Sequence, residues 1–437
     1  MMMQDDTIMS YTEDQPISLD SVFAENFPRW QDVNPGIILI SIYFLFELGS
    51  IQGLYQGINE LKIPAIVSYL TMFYALYLIA SNQVDWSSMT TRRFALLCAF
   101  IILYTLLSTK LEVARIDLVK IFILIFSNYI VFICSVKKPS QFILLVDIWL
   151  FSIMFSSFNG IMQGGKIWGN RWLKDENHIS LVAAMVIPFA FMLYRLYKPL
   201  LRKIFYVVCL VFYVSVNVVA ASRGGALAMI VVAFLCWLLT SHKLRNTLII
   251  LLATVLVLSF APPVFFEEMA TLKQGTQEGT ASDRIYLWGI AMDMFEDHPF
   301  LGVGPMNYPY YFSSYEKGVI YPIGASRVAH STPVQYLAEF GALGSFLFLY
   351  FLYALYRNWR FAHKRDLSAS RGVSYNEMHS YKLISHACGI SQLGFWIGAL
   401  FLTLLPYPFY WCLVPISESW RKLIQENFKL RNEQVLM

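Results

Sequence analysis

Apolar runs of about 15 to 23 residues recur from Gly36 almost to the C-terminus, separated mostly by short polar stretches. A bilayer core about 30 Å thick is crossed by about 20 residues of helix rising about 1.5 Å each, so each run predicts a membrane span. Spans are read at Gly36 to Ile51, Ile63 to Ala80, Phe94 to Ser108, Ile121 to Val136, Phe142 to Phe158 and Ile179 to Tyr194. Six more follow at Ile204 to Ala221, Ala226 to Leu239, Leu248 to Phe260, Val334 to Tyr356, Ile384 to Leu405 and a short one near Phe409 to Ile416. Pro406, Pro408 and Pro415 crowd the last, and proline kinks or ends a helix. The pattern predicts an all-α polytopic membrane protein of about twelve transmembrane helices. It divides into a tail at 1–35, nine helices over 36–260, a loop at 261–332, three helices over 333–416 and a tail at 417–437.

Composition agrees. The chain is 57% hydrophobic and only 14% charged, with a mean hydropathy of +0.53, whereas a soluble chain carries about 25% charged residues. A net charge of +4 is too small to imply nucleic acid, and no basic run is interleaved with aromatics. The six cysteines, Cys98, Cys134, Cys209, Cys236, Cys388 and Cys412, lie in apolar segments without CxxC spacing and read as small core hydrophobes. The first 35 residues are polar and acidic (Asp5, Asp6, Glu13, Asp14, Asp20, Glu25), unlike a cleaved signal peptide, so the first apolar segment reads as an uncleaved anchor.

The distribution of charge sets an orientation. Alternate loops are basic, with Arg92 and Arg93, Lys137 and Lys138, then Arg195, Lys198, Arg202 and Lys203, then Lys243 and Arg245. Arg357, Arg360, Lys364, Arg365, Arg371 and Lys382 follow, and the C-terminal tail adds Arg421, Lys422, Lys429 and Arg431. The positive-inside rule places these loops and both termini in the cytoplasm. The loop from Ala261 to Thr332 then faces outward, and its length predicts helices and a function of its own. Within it Ser282 can cap a helix that ends before Pro299, with an apolar face of Ile285, Trp288, Met292 and Phe295. His298 to Pro305 reads as a turn-rich exit.

Three residues on the outer side could carry chemistry. Arg223 stands between two spans in Ala221-Ser222-Arg223-Gly224-Gly225, where two glycines permit a tight turn. It reads as a snorkelling arginine on lipid headgroups or as a phosphate clamp. Arg284 sits near a helix start, where a cation opposes the dipole. It reads as a salt bridge to Asp283 or Glu278, or as an arginine aimed at an anion. His330 precedes Ser331, then Thr332 as a plausible N-cap and Pro333. A histidine beside a positive helix end has a lowered pKa, and reads as a general base or as a boundary side chain bonded to backbone. Glu339 and Asp147, inside spans, should face the bundle interior. HExxH, paired-histidine, DxD and P-loop patterns are absent from the sequence, leaving metal-dependent chemistry and nucleotide hydrolysis unsupported.

In this order, Ala221 to Gly225, Ser282-Asp283-Arg284 with Trp288, His298 to Gly304, and Ala329-His330-Ser331 leading to Glu339-Phe340-Gly341-Ala342-Leu343-Gly344 resemble the O-antigen ligase family. That family includes polysaccharide polymerases and bacterial O-linked oligosaccharyltransferases. The likeness covers the C-terminal half, and the N-terminal half only as a helix pattern. Lys174 to Ile179 and Ile390 to Gly394 look most like the branch beside exosortase-type exopolysaccharide systems.

The resemblance implies a GT-C-like membrane glycosyltransferase of the bacterial cytoplasmic (inner) membrane, without cofactor or metal. Its implied donor is an undecaprenyl-diphosphate-linked oligosaccharide, and its acceptor a glycan, lipid A core or protein on the outer face. Membrane lipids and polysaccharide export proteins are the implied partners. Arg223 and Arg284 would stabilise the diphosphate, and His330 would act as general base, with inversion. A transporter or flippase of lipid-linked saccharides is the alternative, for which internal repeats and broken helices at the midplane are expected. A structural subunit of an export complex is a third reading. It predicts that all three residues tolerate change.

Overall fold

The computed structural model describes residues 19–23, 32–51, 62–108, 113–168, 170, 172–271, 279–316, 320–321, 326–364 and 373–436. Most of the acidic N-terminal stretch lies outside them, as do Glu278, Arg365 and Arg371. The described residues are helical and contain no strand. In chain order the helices are α1 Leu19–Val22, α2 Pro35–Tyr43 running into a π-helical turn Phe44–Leu48, α3 Ile63–Ala80, α4 Met89–Leu107, α5 Val113–Ser135 and α6 Pro139–Met162. Then come α7 Glu176–Leu196, α8 Leu200–Val219, α9 Arg223–Leu238, α10 Lys243–Ser259, α11 Pro263–Thr271, α12 Gly279–Asp297 and α13 Tyr308–Glu316. The last four are α14 Thr332–Lys364, α15 Tyr375–Ala399, α16 Pro408–Trp411 and α17 Leu413–Leu436.

Seven of these, α3 to α8 and α14, hold segments long and apolar enough to cross a membrane, and α10 with α11 makes an eighth if the pair, bent by 111°, is one span. The predicted figure of about twelve also included α2 and α9, which are apolar but short, and α15, which carries Lys382, His386, Ser391 and Gln392. The chain's twelfth apolar run does not end at Ile416. A single turn, α16, precedes α17, which accommodates Pro415 near its start and continues to Leu436 through the stretch read as a tail. Its Val414, Ile416, Trp420, Leu423, Ile424 and Phe428 are buried, so it is a helix of the bundle.

At the centre lies α7, nearly every residue of which from Ile179 to Leu193 is buried, packed against α6, α8, α9 and α15. By contrast α10 buries no residue.

Hydrogen bonds between elements identify two ends of the bundle. At one, Asn34 donates to Ser135 (2.8 Å), Ser88 to Glu418 (2.6 Å), Asn358 to Glu418 (3.0 Å) and Arg195 to the Leu239 carbonyl (3.0 Å). This is the basic end. At the other, Trp172 donates to Glu47 (2.7 Å), Tyr407 to the Trp172 carbonyl (2.5 Å), Ser222 to Asn177 (2.7 Å) and Thr332 to the Leu402 carbonyl (2.5 Å).

Asp147 is buried, as expected of a carboxylate within a span, and binds the Arg202 guanidinium and the Tyr206 hydroxyl (2.7 Å). Glu339 is also buried, and accepts the backbone N–H groups of Met306 (3.1 Å) and Tyr308 (3.2 Å) and the Gln335 amide (3.0 Å). It therefore braces the segment at Met306 and Tyr308 against α14. All six cysteines are buried thiols.

Candidate active site at the His330 end

The loop between α10 and α14 folds on its own small core. Leu287, Ile290, Ala291 and Met294 of α12 pack with Val303, Tyr308, Phe312, Ala329 and Ala338. The stripe singled out from the sequence, read as resting on the bilayer surface or the bundle top, is a neighbouring one: Ile285 and Met292 are exposed, at 50% and 40%, and Trp288 is partly buried against the loop core. Both stripes of α12 carry apolar side chains at helical spacing, and the one holding Ala291 allows the closer approach to α14. Moreover α12 begins at Gly279, which puts Ser282 inside the helix instead of at its cap, and Arg284 in its second turn.

His298 to Gly304 is more than an exit turn. Helix α14 is broken at Gly341, whose φ of 60° and ψ of −162° are not helical, and the turn docks into the break. Val303 and Gly304 donate to the carbonyls of Ala338 (2.9 Å) and Glu339 (3.0 Å), while Ala342 and Leu343 donate to those of Pro299 (2.8 Å) and Phe300 (3.0 Å). Backbone groups freed by the break are thereby satisfied within the membrane protein's interior.

His330 lies just before α14, with a left-handed φ of 48°. A non-glycine residue in this region costs of order 1–3 kcal/mol and persists only where its surroundings enforce it. Here hydrogen bonds hold the backbone on both sides of the residue. The Ala329 N–H donates to Gln335 (3.1 Å) and the Ala329 carbonyl accepts from the Trp288 indole (3.0 Å). Thr332 is the first helical residue and not the N-cap; its hydroxyl instead donates to the Leu402 carbonyl and accepts from the Leu404 N–H (2.9 Å). The imidazole is solvent-accessible, yet its pKa is held below the usual histidine value, by desolvation first and by the Arg284 guanidinium second. Arg327 and His178 act in the same direction, and Asp175 opposes them. The direction is the one expected from a helix end, but the causes are burial and charge.

Arg284 thus sits beside His330. Its guanidinium carbon lies 5.8 Å from the Phe401 ring centroid, while Asp283 turns to the Tyr321 hydroxyl. Arg223 is the first residue of α9, and its Nε is 3.6 Å from Glu268 of α11. Phe401 connects the two arginines, because the Cα of Gly224, next to Arg223, faces the same ring closely enough that a Cβ would lie 3.7 Å from it. The turn before Arg223 is made by Ala220 and Ala221, the latter with φ 47°, and not by the two glycines, which lie inside α9. Gly225 has a packing role: a Cβ there would come within 1.8 Å of the Ser180 hydroxyl.

The structure also recruits residues that were not assigned a role. Asp175 caps α7, accepting both the Asn177 N–H and the Asn177 side-chain amide at 2.8 Å. Asn177 in turn accepts the Ser222 hydroxyl, and Ser222 caps α9 by accepting the Gly225 N–H at 3.1 Å. His178 bonds the Trp172 carbonyl at 3.0 Å beside Tyr407. The N-cap at Asp175 is legible as an acid before a helix; the bond between Asn177 and Ser222, across 45 residues, is not.

The arrangement sets two guanidinium groups and a neutral imidazole around an accessible end of the bundle. Guanidinium groups suit phosphate oxygens, and a neutral imidazole can accept a proton. Comparison with known proteins is consistent with this chemistry. Residues 208–349 match the model of a family described as O-antigen ligase, a stretch that holds Arg223, Arg284 and His330 but neither Asp175 nor Phe401. No curated protein matches the chain.

Proposed function

We propose, from the premise of an O-antigen ligase domain at residues 208–349, that this membrane protein transfers or polymerises a glycan from an undecaprenyl-diphosphate-linked donor onto an acceptor hydroxyl. The observation that carries the reading is the placement of Arg284 beside His330, with Phe401 joining Arg284 to the segment of Arg223. His330 removes the acceptor proton as the hydroxyl oxygen attacks the anomeric carbon. The bond from that carbon to the diphosphate oxygen breaks, and configuration inverts. A lipid diphosphate leaves readily once its charge is neutralised, which is the work of Arg223 and Arg284. The acceptor is a glycan, lipid A core or a protein. Clustering of basic residues at the end opposite His330 supports an extracytoplasmic site in the inner membrane.

The test is transfer by purified protein from a defined undecaprenyl-diphosphate oligosaccharide to each acceptor class, comparing wild type with His330→Ala, Arg223→Ala and Arg284→Ala. Wild type forms product, and each variant loses about a hundredfold or more in rate, the low end for one general base or charge-stabilising group. Equal product from all four proteins would overturn the assignment, as would none with any acceptor. Many repeats on one lipid identify a polymerase, and product on lipid A core or protein identifies a ligase or oligosaccharyltransferase.

A further inference from the structure

The four groups around His330 come from three elements. Arg284 comes from α12, Arg327 from the segment leading into His330, and Asp175 and His178 from the start of α7. Three of these are cationic or become so, and Asp175 is the carboxylate that counters them. The same carboxylate begins a chain of hydrogen bonds to the other half of the site. Its Oδ1 takes both N–H donors of Asn177, which leaves Asn177 Oδ1 facing Ser222. The reverse amide orientation would set a carbonyl oxygen against a carboxylate oxygen, so chemistry fixes the assignment. Ser222 then holds the first turn of α9, where Arg223 stands, behind an Ala221 kept at positive φ. One short segment thus touches the electrostatics of the histidine and the backbone of an arginine that is distant in sequence.

We infer that Asp175 and Asn177 are positioning residues of this site: Asp175 orients the Asn177 amide, and Asn177, through Ser222, fixes the helix start that carries Arg223. The inference rests on the glycan-transfer reading above. An arginine at the first position of a helix is placed by the cap beneath it. Loosening that cap weakens hold on the diphosphate before it affects the proton transfer.

The role is read kinetically in the full-length protein in detergent, measured against donor concentration and pH. Asn177→Ala raises donor KM by about tenfold, equivalent to about 1.4 kcal/mol of donor binding, and leaves the acidic limb of the kcat/KM profile in place. Asp175→Ala, which frees the Asn177 amide, raises donor KM in the same direction, and Asp175→Asn, which keeps an oxygen to accept the Asn177 N–H, restores it toward wild type. The Asp175 pair decides the matter if Asn177→Ala does not fold. A wild-type donor KM in folded Asn177→Ala or in folded Asp175→Ala overturns the positioning role. His330→Ala and Arg223→Ala are run alongside. If those retain transfer, the glycan-transfer site itself is misassigned. If they lose it while the other variants behave as wild type, only the present inference falls.

Discussion

Gly302 and Gly341 press against each other so closely that a Cβ on Gly341 would come within 2.6 Å of the Gly302 nitrogen, and one on Gly302 within 2.4 Å of the Ala338 carbonyl oxygen. Both have positive φ, 72° and 60°. Alanine at either position meets backbone, which cannot rotate away, as well as an unfavourable dihedral. Gly341→Ala and Gly302→Ala are therefore expected to lower the melting temperature of the detergent-solubilised protein and to expose residues 298–305 to protease. Gly289, inside α12 with open space around it, is the control. Its replacement by alanine should stabilise by roughly 0.5–1 kcal/mol, the ordinary helix preference. A wild-type melting curve for Gly341→Ala would contradict the docked turn.

His330 has a pKa below the usual histidine value, owing to desolvation and then Arg284. As the base must be neutral, activity should hold as pH falls through the ordinary histidine range and fail only below it. Replacing Arg284 by glutamine removes the second cause, so the acidic limb should move to higher pH even as the maximal rate drops. A limb that moves the other way, measured as log kcat/KM against pH, would place Arg284 away from His330.

Asp147 and Arg202 form a buried pair completed by Tyr206 and by the Tyr197 ring, whose centroid is 4.6 Å from the guanidinium carbon. Removing one member strands the other, at a cost of about 3–5 kcal/mol, whereas replacing both with apolar residues is often tolerated. Asp147→Ala should reduce the yield of folded protein sharply, and Asp147→Leu with Arg202→Met should restore it. Restored protein should retain transfer, because Arg202 belongs to the basic end and His330 to the opposite one. Recovery of fold without activity would count against that separation.

The C-terminal helix α17 is joined to the bundle by charge as well as by apolar packing. Glu418 is buried and binds Ser88, Asn358 and Arg421, and Arg431 reaches Glu377 at 2.8 Å. Deleting 417–437 should therefore destabilise the whole membrane domain, read as loss of a monodisperse peak in size-exclusion chromatography. A free tail could be removed without that effect.

Membrane helices were legible because apolar length alone defines them: Ile63–Ala80 has the bounds read from the sequence. Length could not reveal α17, whose Glu418, Asn427 and Arg431 find partners distant in the chain in Ser88 and Asn358, Tyr381, and Glu377. The stripe of α12 that packs in the loop core was not legible for a related reason, since its partners Ala329 and Ala338 lie outside that helix. In the candidate site Arg223, Arg284 and His330 stood out as polar groups at helix ends. Phe401 and Asn177 did not, because an aromatic and an amide near a span are ordinary until their partners are known.

The machinery rests on two supports. The loop core, in which Ala329 and Ala338 pack with Leu287 and Met294, holds both His330 and Arg284, whereas Arg223 is mounted on the bundle, at the head of α9. The docked turn bonds α14 on both sides of Gly341, and Thr332 and Gln335 tie its first turns to Leu402, Leu404 and Thr403. A diphosphate gripped by both arginines would therefore be a crossbar laid between two supports whose spacing is already set.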